Sequence, residues 1–452
     1  MKNTIILTVS RFFEKGIMFL FFILLARQFG KDCFGEFSYY FTIASTLFVL
    51  FDVGGEFYQI REFTKKESLK IFQNIFILKT IIATGVFLIV LLAQQHIYLL
   101  ILISSFYLDS VISLFRSSFY KNSLYIQESI LSIIEKIVFI LLVFLNIFTI
   151  KNILFMYFAF FAAKFVYLMI AINRYYRFKY LINSFRLFSL KYFKHYALNS
   201  WSYILHSLLV VIFVQIDIIM LKQMGVAFDQ IGLYSAAVKI YFAVIIFADI
   251  LFKQFYPKVS IYLHKNDEAG LKVFILKIQS LNIYASAIFS FVTIIFSHEI
   301  ISLSFGDGFS KASDMLILMS IIMVFRFSMY TYTALLSSSN LNHIKLVTSF
   351  TCVFINVILN YIFIPLYGVY GSLVATIITE FVLVAMYKIS SFKIIFTNYF
   401  TLKEFSALGV VFVSSYFFSY YEIAIMYKIT ISVILLLSLF LNKTRIKTAL
   451  SF

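Results

Sequence analysis

Long apolar runs follow one another along almost the whole chain, separated by short polar segments. The runs are continuous rather than alternating with a period of two, so they read as membrane-crossing helices and not as barrel strands. Hydrophobic windows place spans near 5–29, 36–58, 75–93, 97–120, 128–148, 152–173, 196–222, 232–256, 275–298, 313–338, 345–365, 369–388, 404–420 and 424–441. Crossing the hydrocarbon core takes about 20 residues of helix, so about fourteen spans occupy roughly 280 residues and leave only short loops. The pattern predicts an all-α polytopic membrane protein. The first run lacks a small-residue cleavage site and flows into the second, so it is expected to be a retained span.

The polar segments predict orientation and domains. Lys and Arg gather in every second loop: Arg61, Lys65, Lys66 and Lys70; the run from Arg174 to Lys194; Lys258, Lys265 and Lys272; and Lys443, Arg445 and Lys447. The opposite loops hold Arg27, Lys31, Lys151, Lys222 and Lys311. By the positive-inside rule both termini are expected in the cytoplasm. The longest interruption, Arg174 to His195, mixes basic residues with Tyr and Phe and is expected to lie on the inner leaflet. It divides the chain into an N-lobe of six spans at 1–173, an amphipathic connector at 174–195, a C-lobe of six spans at 196–388, and two accessory spans with a cytoplasmic tail at 389–452. Within 404–441, Glu404, Glu422 and Lys428 fall at the edges, so these two spans are expected to face lipid.

An internal echo supports two lobes. Arg27-Gln28-Phe29-Gly30 with Phe34-Gly35-Glu36-Phe37-Ser38 resembles Lys222-Gln223-Met224-Gly225 with Ile231-Gly232-Leu233-Tyr234-Ser235. Both copies lie between an outward and an inward span, so the repeat is parallel and a transport path is expected between the lobes. Gly30, Gly35, Gly225 and Gly232 are expected to supply positive φ or tight turns where the chain reverses. Pro365, with Gly368 and Gly371, should do the same after the eleventh span.

Composition narrows the function classes. Of 452 residues, 62% are hydrophobic and 13% charged, against roughly half and a quarter in a soluble domain. The net charge of +17 is accounted for by the basic inner loops, and no nucleic-acid partner is needed to explain it. Cys33 and Cys352 form no CxxC pair and read as isolated thiols. No nucleotide-gripping glycine loop, HExxH or Gly-x-Ser-x-Gly elbow is present, so neither an enzyme nor a bound cofactor is expected. Energy would come from an ion gradient, with H⁺ or Na⁺ as the coupling ion, from the membrane potential, or from consumption of product.

Charges inside the apolar runs are the candidate chemistry, since each costs at least about 2.5–3.5 kcal/mol at mid-membrane. Arg11 and Lys15 share a face of the first span, with Glu14 beside them. They read either as a cationic seat for a diphosphate or as an Arg11–Glu14 pair with Lys15 reaching the cytoplasm. Ser105, Asp109, Ser113 and Arg116 form one stripe of the fourth span. Lys239, Asp249 and Lys253 lie in the eighth, where Asp249 and Lys253 are spaced for an internal pair. Lys164, Arg326 and Glu380 fall near mid-membrane, and an Arg326–Glu380 pair is a structural alternative to a role in the cavity. Asn199, His206 and Asp217 share a face of the seventh span, and Asp52 lies within the second. Arg11, Lys15, Lys239, Lys253 and Arg326 are the expected substrate contacts. Asp52, Asp109, Arg116, Lys164, His206, Asp217, Asp249 and Glu380 are candidates for lining the cavity or coupling an ion.

Several strings carry a family resemblance. Leu24-Leu25-Ala26-Arg27-Gln28-Phe29-Gly30, Asp217-Ile218-Ile219-Met220-Leu221, Gly232-Leu233-Tyr234-Ser235-Ala236-Ala237-Val238-Lys239-Ile240 and Phe305-Gly306-Asp307-Gly308-Phe309 occur in order. They are followed by Asn356-Val357-Ile358-Leu359-Asn360 and Ile364-Pro365-Leu366-Tyr367-Gly368-Val369-Tyr370-Gly371-Ser372 with Glu380. Together they resemble the polysaccharide exporters of the multidrug/oligosaccharidyl-lipid/polysaccharide (MOP) flippase superfamily, and among them the Wzx-type O-antigen and capsule repeat-unit flippases. The resemblance implies two six-helix lobes around a central cavity, two extra C-terminal helices, and alternating access at the bacterial inner membrane. The implied cargo is an undecaprenyl-diphosphate-linked oligosaccharide of the lipopolysaccharide or capsule pathway, and the implied partners are membrane lipids and a polymerase of that pathway. A drug/cation antiporter of the same superfamily would present acidic residues such as Asp52 and Asp109. A membrane-embedded polymerase or ligase would need a large outer loop.

Overall fold

The computed structural model describes residues 2–63, 68–93, 96–173, 189–339, 341–392 and 394. Among these there is helix and no strand: α1 (Lys2–Phe51), α2 (Gly55–Phe63), α3 (Ser68–Leu92), α4 (Ile97–Lys121), α5 (Tyr125–Leu145), α6 (Ile153–Ala171) and α7 (Leu190–Gln223). They continue as α8 (Phe228–His264), α9 (Glu268–Ile295), α10 (Ser297–Phe305), α11 (Ala312–Ser338), α12 (Asn342–Tyr367) and α13 (Val369–Ser391). Among the described residues ten helices, α3 to α9 and α11 to α13, are long and apolar enough to cross a membrane. The chain is a multi-pass membrane protein. The expected spans 404–420 and 424–441 and most of the connector, 174–188, lie outside the described residues.

Helix α1 contains the first two expected spans. At Gly30 the backbone turns to φ 76°, ψ −179°, a conformation open to a residue without Cβ. Beyond it the chain returns alongside itself, so Phe22 meets Phe41 at 5.8 Å between ring centroids and Phe21 meets Phe37 at 5.5 Å. The second expected span does not run through to residue 58. Helix α1 ends at Phe51, and Val53, Gly54 and Gly55, the first residue of α2, all take positive φ. The Gly54-Gly55 pair makes that break cheap, and it leaves Asp52 at a helix end instead of inside a span. The other glycines divide. Gly225 has φ 86°, as expected of a reversal, whereas Gly35 and Gly232 are helical. Gly371 is also helical: a Cβ there would lie 2.1 Å from the Phe363 carbonyl oxygen, so its smallness serves a close approach of α13 to α12. Pro365 sits within the last turn of α12, and Gly368 makes the turn that follows.

The chain divides into two compact units, Met1–Lys222 and Gln223–Phe452. The division falls later than the basic connector, and α7 joins unit 1 through Gln215, which accepts from Ser45 Oγ at 2.8 Å, and Tyr203, which meets Arg61. In unit 1, α4 packs against α1, α2, α3 and α6. Its interior is aromatic on one side, where Phe21, Phe37, Phe139 and Phe160 interlock. In unit 2, α11 holds the corresponding place, packed against α8, α9 and α13.

Candidate functional site

The polar stripe foreseen on α4 turns into the interior of unit 1 and carries a ladder of ion pairs. At its centre Lys79 of α3 is fully buried. Its Nζ donates to Asp52 Oδ1 at 2.8 Å, to Ser113 Oγ at 2.9 Å and to the Ser110 carbonyl at 2.5 Å. Ser113 Oγ donates to the same carboxylate oxygen at 2.6 Å, and Gln59 Nε2 donates to the Asp52 carbonyl at 2.9 Å. The break after α1 is thus tied to α2, α3 and α4 by one lysine and one carboxylate. A buried charge is tolerated when paired and fully hydrogen-bonded, and all three ammonium donors are used here.

One turn farther along α4, Arg116 gathers three carboxylates. Its Nε lies 3.1 Å from Glu128 Oε1, and its Nη2 lies 3.9 Å from Glu14 and 4.0 Å from Glu135. Arg11 reaches two of the same partners, Glu14 at 3.0 Å and Glu128 at 3.2 Å, and also donates to the Tyr120 hydroxyl. Lys136 adds a further cation at 2.6 Å from Glu135. The planar guanidinium forks bridge α1, α4 and α5 in a way a single ammonium could not. The second oxygens of Glu128 and Glu135 accept no hydrogen bond among the described residues. Lys15, one turn beyond Arg11, is exposed. Toward the other end of the stripe, Asp109 pairs with Lys164 of α6 at 2.5 Å, and that ammonium lies 4.8 Å above the Phe106 ring.

Unit 2 is built differently. Arg326 of α11 pairs with Glu380 of α13, whose side chain is fully buried. Neutral pairs otherwise join α9 to α11: Gln279 to Ser328 at 2.8 Å and Asn282 to Thr331 at 2.9 Å. Asp249 and Lys253 of α8 form the local pair that their spacing suggests, at 2.7 Å, with Lys253 largely exposed. Lys239 is half-buried on the same helix. Asp217 of α7 is buried; the side chain of His206 lies outside the described residues.

The structure therefore brings Arg11 and Arg116 together around shared carboxylates and places Asp52 and Asp109 each against a lysine. Sequence reading passed over Lys79, Glu128, Glu135 and Lys136. The signal was available, since Lys79 interrupts the third apolar run and Glu135-Lys136 the fifth. What the ladder can do chemically is exchange partners. A phosphate oxygen is a stronger competitor than water for a guanidinium already aimed at a carboxylate.

A family model described as polysaccharide biosynthesis protein matches residues 1–257, more than half of the chain. No curated protein sequence matches it. Among solved structures, the chain is similar to the lipid II flippase MurJ in an inward closed conformation, at 16% identity and a TM-score of 0.73, over 95% of this chain and 96% of that one. It is also similar to a multidrug resistance MATE family transporter of the MOP superfamily in an inward-facing conformation. That likeness has 13% identity and a TM-score of 0.71, over 88% of this chain and 95% of the other. An outward-facing transporter of the same description matches at 12% identity and 0.58, covering 88% and 97%. At such identities the likeness is one of fold.

Proposed function

This chain belongs to the polysaccharide biosynthesis protein family, and on that footing we propose that it is a flippase for an undecaprenyl-diphosphate-linked oligosaccharide. It would carry an O-antigen or capsule repeat unit from the cytoplasmic to the outer leaflet of the bacterial inner membrane by alternating access. The observation that carries this reading is the conjunction of that family with a fold matched, along 95% of the chain, by a protein named as a lipid II flippase. Physical chemistry splits the cargo. Each buried CH₂ is worth about 0.8 kcal/mol, so the polyprenyl tail stays in lipid while the sugar and diphosphate cross a hydrated path.

In this reading the diphosphate competes with Glu14 and Glu128 for Arg11, and exposed Lys15 on the next turn adds a second cation. Lys239, Lys253 and Arg326 are the proposed contacts from unit 2. H⁺ or Na⁺ is the proposed coupling ion, and a polymerase of the same pathway the proposed partner. A drug/cation antiporter would call for open carboxylates where Asp52 and Asp109 instead face Lys79 and Lys164.

The test uses purified protein in vesicles loaded with a labelled undecaprenyl-diphosphate oligosaccharide, read by accessibility of the sugar to an added lectin. Wild-type protein should expose the inner pool within minutes, and the Lys15→Gln/Arg11→Gln variant should lose most of that rate while inserting normally. Wild-type protein that moves cationic dyes but leaves the glycolipid in place overturns the flippase reading. A fully active double variant removes the phosphate assignment alone.

A further inference from the structure

The cytoplasm-assigned hairpin between α8 and α9 holds a cavity of about 350 Å³, lined by Tyr262, Ala269, Gly270, Val273, Phe274 and Lys277. Its making is local. Asp267 caps α9 by accepting from the Gly270 amide at 2.8 Å, and a Cβ on Gly270 would come within 2.8 Å of the Tyr262 ring. Glycine there lets the first turn of α9 lie close against the end of α8, and the cavity opens just beyond. Its floor is apolar: Phe274 is buried against Tyr262 at 5.4 Å between ring centroids, and Val273 is more than half exposed.

The rim is cationic. Ala269, Val273 and Lys277 repeat every four residues on one face of α9, and Lys258, Tyr262 and Lys265 share one face at the end of α8. Lys265 and Lys277 enter no ion pair among the described residues, although the hairpin does carry acids. Asp267 is engaged as the helix cap, and Glu268 projects exposed at the start of α9. Lys277 lies about 14 Å along α9 from Glu268 at 1.5 Å per residue, near where the apolar run begins. Its side chain leans back toward the start of α9, so the ammonium reaches the headgroup level at the mouth of the groove while its stem lies along apolar surface. Exposed Ile261 and Leu276 continue the apolar surface on either side.

We infer that this groove is a binding site for one anionic phospholipid of the inner leaflet, its phosphate held by Lys277 and Lys265 and its first acyl carbons laid over Val273, Phe274 and Tyr262. Charge complementarity selects the occupant, because basic pockets between spanning helices on the cytoplasmic side hold anionic headgroups whereas a zwitterionic lipid gains little from the lysines. The groove lies within unit 2 and does not involve Arg11 or Lys15, so the inference stands apart from the cargo assignment.

The experiment equilibrates the full chain in vesicles of equal phosphatidylglycerol and phosphatidylcholine, then releases it and counts retained lipids by native mass spectrometry. Wild-type protein should keep phosphatidylglycerol in clear excess. Lys277→Gln and Lys265→Gln should each lower that excess about fivefold, the ratio expected for one lysine near a headgroup. Val273→Trp, which fills the groove without touching a charge, should displace the lipid. Lys311→Gln, outside this hairpin, should leave the excess unchanged. Equal retention of both lipids by wild-type protein overturns the inference. So does an unchanged excess in both Lys277→Gln and Val273→Trp, or an equal loss in Lys311→Gln.

Discussion

Helices α4 and α11 occupy matching central positions in their units, yet they hold their neighbours by different means. Helix α4 does so with charge: Asp109, Ser113 and Arg116 engage Lys164, the Asp52–Lys79 pair and three glutamates. Helix α11 relies mainly on neutral hydrogen bonds through Ser320, Ser328 and Thr331, with Arg326–Glu380 as its ion pair. Burying ion pairs is a poor way to gain stability, because desolvation offsets most of the Coulomb attraction. Neutral pairs between helices hold well enough, as unit 2 shows. The contrast bears on the proposal made above, in which the charges of unit 1 exchange partners with a phosphate-bearing passenger.

The largest test of this contrast is Lys79→Met. It leaves Asp52 without its cation in the interior of unit 1, and a loss of about 3–5 kcal/mol in unfolding stability is expected. Adding Asp52→Leu should recover most of that loss. A single variant as stable as wild type, measured in mixed micelles, would end the claim that unit 1 depends on charge pairing.

In unit 2, Glu380→Gln keeps an acceptor for Arg326 while removing its charge. The amide still accepts from the guanidinium, which offsets part of the cost of an unpaired buried ion, and a loss of about 1.5–3 kcal/mol is expected. A loss as large as that of Lys79→Met would erase the difference between the units. Smallest is Gln279→Leu, which deprives Ser328 of one neutral partner and should cost about 0.5–1.5 kcal/mol. If it proves the most damaging of the three, the neutral seam of α9 and α11, and not the pair at Arg326, secures unit 2.

Much of this could be read before any coordinates. The Arg326–Glu380 and Asp249–Lys253 pairs were among the readings open to the sequence, the second from helical spacing alone. The seven-residue stripe on α4 was legible because every seventh residue returns to nearly the same face. What lies opposite that stripe was not. Lys79 is 27 residues from Asp52, and Glu128 is 117 from Arg11. No local period links such residues; only the packing of separate helices does. The break at Val53 also escaped, since the apolar run continues through it and two adjacent glycines are compatible with a helix as well as with its end.

Hydrophobicity along the chain determined by itself that lipid is the solvent and that helices cross it, because an apolar run of this length has no other stable state there. It also determined which positions carry unavoidable charge. Tertiary structure alone decided how those charges are matched, placing three carboxylates around Arg116 and one beside Lys79. Inside a membrane the cost of a charge is fixed by the residue, whereas its compensation depends on which helix stands next to it.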